Sequence, residues 1–589
     1  METYSRISRR ARRLFLPWFQ GGPLARRNAR SAFMLAVFGW AIWPVTQSAL
    51  HGDDIPNSMR SAALKYTNQS QWQYISSSIA QWVRNQGRLF PVSVIENVLL
   101  FSTVHSVTMY KFIQWLVLLC LVVLMGWFVQ IVVGSKSALP VVAFGLLAAL
   151  QTRNWYDPTF GFGLLLQSVA LKVFLSAILL YFSINGRRRL LWGSLSVIVW
   201  AGGLLQYEVV ITLLPTLAIV AFLPAKHAPL RRLVAVMPHF VISVVFLVVS
   251  QLLRHGKVVA PAYTTNTDFH QVFPTYIRQL SASVPLFAHI WDITPRSVIG
   301  ATSLVTFSIF TVLAVVGVVA MRDELSDDPL RRRKIAGLFL IGLNLMLGPS
   351  IPTSLSIRWQ SELSWGLGYL PVFLQYLGVA LVIASALLWL GSAVVRNLSR
   401  RCLLAGTLAL CTVSATTNRT LLAENVSAQE PARWSREFYE DSVRLGFFDG
   451  VPDGSIIESP FADPNSWVSN YFTTWLGGPE DLTFVRSAED RTSFCEAANC
   501  QNRTVFSLET MDLSPDHQGL VLKEAIPRST GQGSIGDFGR DASIRVAQPN
   551  NYQVPCSAIS SVIRGRSVSI FDCVGGVTSK LRFGSESRK

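Results

Sequence analysis

Two adjacent carboxylates follow the first apolar stretch of the chain, and carboxylates at such a position can transfer protons. Asp53 and Asp54, the acid pair, lie in HGDDIPNSMR, directly after SAFMLAVFGWAIWPVTQSAL. An ionised carboxylate can accept a proton as a general base. The alternative for the acid pair is structural, with both side chains accepting hydrogen bonds from the backbone of a helix end or a turn.

Further acidic residues lie near the ends of apolar segments: Glu96, Asp157, Glu208, Asp268, Asp292 and Glu362. Ionisable groups at membrane depth are costly and usually functional. Asp157 and Glu208 lie in short turns with hydrophobic flanks, which favours a place in a site. For Glu96, Asp268 and Asp292, the solubility of an external loop is an equally good explanation. The acid pair together with Asp157 could hold a divalent metal, the one cofactor that the sequence suggests.

The elements that position these groups are predicted to be membrane-spanning helices. Half of the 589 residues are hydrophobic and only 15% are charged, a composition too apolar for a soluble protein of this length. A spanning helix needs about 20 mostly apolar residues. Eleven segments are predicted to span, at roughly 32–50, 110–133, 138–152, 161–184, 190–205, 209–224, 233–253, 298–321, 335–350, 370–395 and 402–417.

Basic residues are concentrated in alternate loops, which predicts the orientation of the chain in the membrane. The clusters lie at 6–30, 136, 187–189, 226–232, 331–334 and 396–401. Cytoplasmic loops are enriched in Lys and Arg, so this pattern predicts a cytoplasmic N-terminus, and eleven spans then place the C-terminus outside. The same distribution accounts for the net charge of +17 without a nucleic-acid partner.

The composition changes after residue 417, where short apolar runs alternate with Ser, Asn, Asp, Gly and Pro. The predicted strands are SIIES, LTFVRS, TVFSLE, GLVLKEA, SIRVA and SVSIFDC, and ARWSREFYEDSVRLGFF is a predicted helix. Four of the seven cysteines lie in this tail. Two disulfides are expected in an extracytoplasmic domain, and of the three possible pairings we favour Cys495–Cys500 and Cys556–Cys573.

The predicted fold is an all-α polytopic membrane bundle of about eleven helices with a C-terminal soluble mixed α/β domain. Residues 1–31 form a basic cytoplasmic arm. Residues 32–417 form the transmembrane domain, with external loops 51–109 and 254–297, and residues 418–589 form the extracytoplasmic domain. Because the acidic groups gather at one end of the bundle and not near its midplane, an active site at the outer interface is favoured over a transport path.

Four segments within residues 30–380 carry the strongest motif signal. HGDDIPNSMR, with Trp82 and NQGRLFP, combines an acidic pair, an Arg, a Trp and a Gly-Arg. RNWYDPTFGFGLLLQ contains Tyr-Asp-Pro, LLQYEVVITLLP contains Tyr-Glu, and IRWQSELSWGLGYLPVFLQYLG contains Arg-Trp-Gln. In this order they resemble the bacterial membrane glycosyltransferases of the GT-C type, near the phage-type O-antigen glucosyltransferases. That family has Tyr-His-Asp-Pro and Arg-Tyr-Gln at the second and fourth segments, so a His is missing here and a Trp replaces a Tyr.

The resemblance implies transfer of a sugar from a polyprenyl-phosphate carrier to a hydroxyl on the outer face. Under this interpretation Asp53 is the general base and Asp54 positions it or the acceptor. A single base without a covalent intermediate implies inversion at the anomeric carbon. The lipid phosphate that leaves is an anion and needs nearby cations, for which Arg60, Arg88 and Arg358 are the candidates.

Contacts with the substrate are expected from Asp157, Glu208, Gln167, Gln360 and Tyr369. Glu208 could instead orient a nearby Arg or Tyr, and for the last three residues ordinary interhelical hydrogen bonds are as good an explanation. The expected partners are the lipid-linked donor, a cell-envelope glycan or glycolipid acceptor, and the bilayer of a bacterial inner membrane. The alternatives are a non-catalytic transporter or flippase of a lipid-linked saccharide, and a polysaccharide polymerase or ligase.

Overall fold

The computed structural model describes the chain with gaps. The described residues are 23–58, 64, 69–104, 106–135, 138–153, 157–223, 228–255, 264–287, 301–322, 329–391, 398–429, 433, 454–458, 482–498, 503, 505–514, 517–525, 544–546, 556–563, 566–573 and 581–585. Outside them lie Arg60, Asp292, Cys500 and, apart from Arg433, the predicted helix at 432–448.

The described residues up to 428 are mainly helical. Its described α-helices are α1 (Pro23–Ala41), α2 (Asp54–Ser58), α3 (Gln71–Gln86), α4 (Pro91–Thr103), α5 (Val107–Val133), α6 (Ala138–Ala149), α7 (Gly163–Asn185), α8 (Arg189–Leu204), α9 (Leu214–Phe222), α10 (Pro229–Arg254), α11 (Phe269–Ser281), α12 (Ala301–Arg322), α13 (Pro329–Leu347), α14 (Ser350–Leu355), α15 (Ile357–Glu362), α16 (Val372–Gly391) and α17 (Leu398–Ala428). Two short 3₁₀ helices, Trp43–Gln47 and Glu208–Leu213, precede α2 and α9. The predicted external segments 51–109 and 254–297 therefore contain helices of their own.

Six of the described helical segments are long and apolar enough to cross a membrane: Asn28–Gln47, Val107–Val133, Leu164–Asn185, Pro229–Arg254, Leu330–Leu355 and Val372–Leu390. The chain is thus a polytopic helical membrane protein. Among the other predicted spans, 138–152, 190–205, 209–224 and 298–321 coincide with shorter apolar helices. The segment 402–417 lies within α17. A total of eleven spans stays a prediction.

The helices of the membrane region run between two chemically different ends. At one end, which we call the basic end, Arg231 at the start of α10 donates a hydrogen bond to the carbonyl of Ile184 at the end of α7. At the opposite end, which we call the polar end, Arg254 closes α10 and Glu208 precedes α9, and their side chains form an ion pair at 3.5 Å. The predicted cytoplasmic cluster 187–189 follows α7 directly, so it lies at the basic end.

The core of the bundle is apolar and closely packed around α13 and α16. Gly342 and Gly378 bring the two helices into backbone contact, since a Cβ at Gly378 would lie 2.5 Å from the amide nitrogen of Met346. Beside them, the Gln375 Nε2 group donates to the Met346 carbonyl and to Ser350 Oγ, at 2.7 Å each. Small residues thus let the helices approach, and a buried amide ties them together.

The tail contains one sheet. Its strands are β1 (Ile456–Glu458), β2 (Thr483–Val485), β3 (Val505–Ser514), β4 (His517–Ala525), β5 (Ile544–Val546), β6 (Cys556–Ile563), β7 (Arg566–Cys573) and β8 (Leu581–Ser585), and α18 is Ala488–Ala498. The strand order is β2-β1-β3-β4-β8-β7-β6, with β5 paired to β4. β1 pairs in parallel with β2 and β3, whereas the other pairs are antiparallel. Each predicted strand overlaps a strand of this sheet, while β6, β8 and α18 were not predicted.

The chain divides into two compact units by its internal contacts. The membrane unit comprises Met1–Gly52, Ile75–Glu96 and Lys111–Ser427, and the tail unit comprises Asp53–Tyr74, Asn97–Tyr110 and Ala428–Lys589. Cys556 and Cys573 are register partners in β6 and β7. The pairing of the four cysteines, like the tail's existence as a separate extracytoplasmic domain, stays a prediction.

Replacing Gly378 with Ala should lower the stability of the bundle by about 1–3 kcal/mol, because the new methyl group must push α13 away from α16. Gly406 in α17 is the matched control, since a Cβ there meets nothing within 4 Å and Ala is the better helix former. Thermal unfolding of both variants in detergent measures the difference. Equal melting temperatures would mean that the contact between α13 and α16 is not as close as described.

Candidate functional site

The main charged cluster of the membrane unit converges on Glu208. Its Oε2 accepts hydrogen bonds from Arg88 Nη2 at 3.0 Å and Arg88 Nε at 3.3 Å, and its Oε1 lies 3.5 Å from Arg254 Nη2. The side chains of Arg88, Glu208 and Arg254 are 14%, 30% and 25% exposed. These three residues, the arginine–glutamate triad, carry two positive charges and one negative charge, and all three side chains remain partly accessible to water or a ligand.

Local backbone geometry brings the three segments of the triad together. Gly87 has φ +60°, and a Cβ there would lie 2.8 Å from the Arg254 Cα, so the left-handed loop between α3 and α4 can approach the end of α10 only with glycine at this position. The Arg88 guanidinium also stacks on the Phe90 ring, 4.8 Å from its centroid. Glu208 begins a 3₁₀ helix, where a carboxylate is favoured by the unpaired amide groups.

Asp157 is fully buried and bonds the backbone of its own loop. Its Oδ2 accepts from the Arg153 amide at 2.6 Å, and its Oδ1 accepts from the amides of Thr159 at 2.6 Å and Phe160 at 3.3 Å. Burial raises the pKa of Asp157 to about 6, although these amide donors and the Arg153 charge act in the opposite direction. Gln167, another predicted contact residue, donates to the Thr159 carbonyl at 3.2 Å. Both residues therefore shape the loop before α7.

Arg153, which the sequence analysis missed, lies buried beside this loop. Its Nη2 donates to the Ala282 carbonyl at 2.6 Å, and its guanidinium lies over the Tyr376 ring at 5.7 Å. Gly368, with φ +61°, packs against it, since a Cβ there would lie 2.5 Å from Arg153 Nη1. Arg153 thus ties the loop before α7 to the segments after α11 and before α16.

The acid pair belongs to the tail unit, and its two members have different surroundings. Asp54 is 5% exposed and accepts a hydrogen bond from the Tyr110 hydroxyl, whereas Asp53 is exposed. The first apolar helix already ends at Ala41, and a 3₁₀ helix with Pro44 follows. The acid pair therefore lies at the start of α2 and not at the end of a spanning helix. Asp54 is held in place by Tyr110, and Asp53 is the more exposed member of the pair.

The fourth predicted segment forms an aromatic and cationic cluster at the polar end. Arg358 Nε donates to Glu362 at 2.9 Å, and the Arg358 guanidinium stacks on Trp359, which in turn stacks on Tyr369 with ring centroids 3.8 Å apart. Gln360 bonds the Asn266 and Ser354 carbonyls at 3.1 and 2.9 Å. Trp359 thus brings Arg358 and Tyr369 together.

Several basic residues of the membrane unit were not predicted as site residues, because the candidates were carboxylates at the ends of spans and not basic side chains within apolar segments. Lys111 and Lys172 both lie within candidate spans, and a lone charge in such a segment is itself a signal of function. Arg254 stands at the last position of α10, where nothing in the sequence marks its proximity to Glu208.

A divalent metal was suggested for the acid pair together with Asp157, but the surroundings of Asp157 do not suit a metal ligand. Both oxygens of that carboxylate face backbone N–H donors, whereas a hard cation requires oxygens directed at the ion. The described part of the chain contains no group of three His, Cys, Asp or Glu residues that could hold a metal.

The pH dependence of stability tests the surroundings of Asp157. Because its pKa is about 6 in the folded protein against an ordinary value of 3.8, the folded state holds this proton more tightly than the unfolded state. Its contribution is present at about pH 4 and is lost as the pH rises through 6, with a size of about 3 kcal/mol. The stability of the wild type relative to Asp157→Asn, measured by unfolding in detergent, should fall over this range. A constant difference would contradict the assignment.

No family model matches this chain, and no curated protein matches it. The resemblance to the GT-C glycosyltransferases accordingly rests on the four sequence segments, and the function that it implies is argued from the geometry of the site.

Proposed function

We propose that this protein is an integral membrane glycosyltransferase of GT-C architecture that moves a sugar from a polyprenyl-phosphate carrier to a hydroxyl of a cell-envelope glycan or glycolipid. The observation that carries the proposal is the arginine–glutamate triad at the polar end of the membrane unit. Two partly exposed arginines share one carboxylate there, and such guanidinium groups can contact an anionic ligand.

A lipid phosphate matches the triad in charge and in position. Guanidinium groups bind phosphate oxygens through paired N–H donors, and the orientation of both donors is fixed in advance by Glu208. Arg254 ends a 26-residue apolar helix that is long enough to span the membrane. A cation at that level meets the headgroup region, where the phosphate of a membrane-embedded carrier lies.

The transfer itself requires a proton acceptor. The acceptor hydroxyl oxygen bonds to the anomeric carbon while the bond from that carbon to the phosphate oxygen breaks, and the polyprenyl phosphate leaves as an anion. The hydroxyl proton passes to a carboxylate, for which Asp53 is the candidate because it is exposed, while Asp54 is fixed by Tyr110. One displacement of this kind inverts the configuration of the anomeric carbon.

The proposal includes an arrangement in the membrane. If the chain has the eleven spans predicted from its sequence and a cytoplasmic N-terminus, the C-terminal tail would lie outside the plasma membrane of a bacterium. The tail, which has its own sheet, then contributes binding of the acceptor. Disulfides in the tail, which are a prediction from the sequence, would be stable in that compartment.

Phosphate binding by the triad is tested with undecaprenyl phosphate and the full-length protein in detergent. Arg254→Gln should weaken binding about tenfold, because a charge-assisted hydrogen bond is lost. Arg400→Gln at the basic end is the matched control, since Arg400 stacks on Trp389 there, and its affinity should equal that of the wild type. Equal losses in the two variants would mean that the lipid phosphate does not select the triad.

The role of the acid pair is tested by turnover. Asp53→Asn should lower sugar transfer by about 10²–10⁴-fold with donor binding retained, because the amide keeps the shape but accepts no proton. Asp268→Asn, an exposed helix cap at the polar end, is the control and should transfer normally. If Asp54→Asn transferred no sugar and Asp53→Asn transferred it normally, Asp54 would be the general base and Asp53 the positioning residue. Normal transfer by both acid-pair variants would contradict the mechanism, and movement of lipid-linked sugar across vesicles without transfer would favour a transporter.

A further inference from the structure

A second polar network of the membrane unit surrounds Lys172 in α7. Lys172 Nζ donates to Glu96 Oε1 at 2.6 Å, to Ser168 Oγ at 2.6 Å and to Gln206 Oε1 at 2.7 Å. Gln206 Nε2 and Ser168 Oγ in turn donate to Glu96 Oε2, at 2.6 and 2.9 Å. These four residues, the Lys172 network, join α4, α7 and the turn after α8.

The Lys172 network lies at a depth where unneeded charges are costly. Lys172 follows the first residue of α7 by nine positions, which places it about 13 Å along the helix. The stem of Lys172 packs beside Gly202 and Gly203 of α8, since a Cβ at either position would be in ordinary contact with it at 3.8 Å. The side chains of Lys172 and Glu96 are nevertheless 21% and 40% exposed. An accessible ion pair inside a candidate span indicates a polar recess, and such sites are usually functional.

The hydrogen bonds already formed decide which ligand can enter the recess. All three ammonium donors of Lys172 are used, and so are the amide donors of Gln206, which bond Glu96 and the Leu165 carbonyl at 3.5 Å. The Glu96 carboxylate has about four acceptor positions, of which Lys172, Ser168 and Gln206 occupy three. The network is electrically neutral and offers an acceptor, so it suits an uncharged ligand that donates, such as a sugar hydroxyl.

The Lys172 network adjoins the arginine–glutamate triad. Gln206 of the network and Glu208 of the triad are two residues apart, a distance of at most about 7 Å. The segment that contains Arg88 and Glu96 runs beside this turn, since the Val92 backbone N–H donates a hydrogen bond to the Leu205 carbonyl at 3.2 Å. A phosphate held by the triad therefore has its covalently attached sugar within reach of Glu96.

We propose that the Lys172 network is the sugar subsite of the donor, with Glu96 accepting a hydrogen bond from a hydroxyl of the sugar on the lipid phosphate. The proposal rests on the proposed function and adds a part of the substrate to it. Lys172, Ser168 and Gln206 act as positioning residues, since their bonds fix the carboxylate before the donor arrives. A network that served only to hold α4 against α7 would not distinguish between lipids with and without a sugar.

The test compares two kinds of lipid on the full-length protein in nanodiscs: undecaprenyl phosphate, and undecaprenyl phosphate carrying glucose, mannose or galactose. Wild type should bind at least one of the sugar-bearing lipids more tightly than undecaprenyl phosphate. Glu96→Gln should weaken binding of that lipid about tenfold and change the affinity for undecaprenyl phosphate less than twofold. Arg254→Gln should weaken binding of both lipids, because the phosphate is common to them.

A second variant keeps the test valid if Glu96→Gln is poorly folded because it leaves Lys172 without its counter-ion. The double variant Glu96→Gln with Lys172→Met removes both charges, and it should show the same selective loss. Glu489→Gln is the control, since that exposed carboxylate lies in the first turn of α18 in the tail. Equal losses for both lipids, or a wild type that binds no sugar-bearing lipid more tightly than undecaprenyl phosphate, would overturn the sugar subsite alone. Failure of the wild type to bind either kind of lipid would overturn the proposed function and the subsite with it.

Discussion

A charged group in an apolar bundle is stable only where protein groups replace its hydration, and this constraint decides how the described charges of the membrane unit are arranged. Glu208 lies between two arginines, and Lys172 has an acceptor for each of its three donors. Asp157 is surrounded by backbone amides of its own loop. The bonds of Glu208 and Lys172 tie segments that are distant in sequence, so the bonds that make these charges tolerable also hold helices together.

The arginine–glutamate triad and the Lys172 network differ in net charge and in the hydrogen-bonding groups that a ligand can reach. They therefore suit different ligands. In the triad the cationic charge exceeds the anionic charge, which favours an anion. In the Lys172 network the charges cancel and the accessible group is an acceptor, which favours a neutral donor of hydrogen bonds. A glycosyl phosphate combines both properties in one molecule. The proposed assignment of phosphate and sugar follows from this match and from the short chain segment between Gln206 and Glu208.

The backbone at the polar end is specialised for close approach. Gly87 allows the loop before α4 to reach α10, and Gly368 allows a second loop to pack on Arg153. Both glycines have positive φ values, which other residues adopt at a cost. The helices α13 and α16, which supply much of the core, meet through Gly342 and Gly378. The bundle therefore provides a rigid base, and the irregular segments at its polar end carry the functional groups.

The sequence by itself determined the membrane class, the apolar segments and most of the strands of the tail, because hydrophobicity and its periodicity are local properties of the chain. It also identified Arg88, Glu208 and Asp157 as members of the polar end. Only the tertiary structure decided what these residues contact: that Glu208 bridges Arg88 and Arg254, that Asp157 serves its own loop, and that Glu96 belongs to a network with Lys172. Such pairings depend on which helices become neighbours, and no spacing along the chain specifies contacts between residues that lie many positions apart.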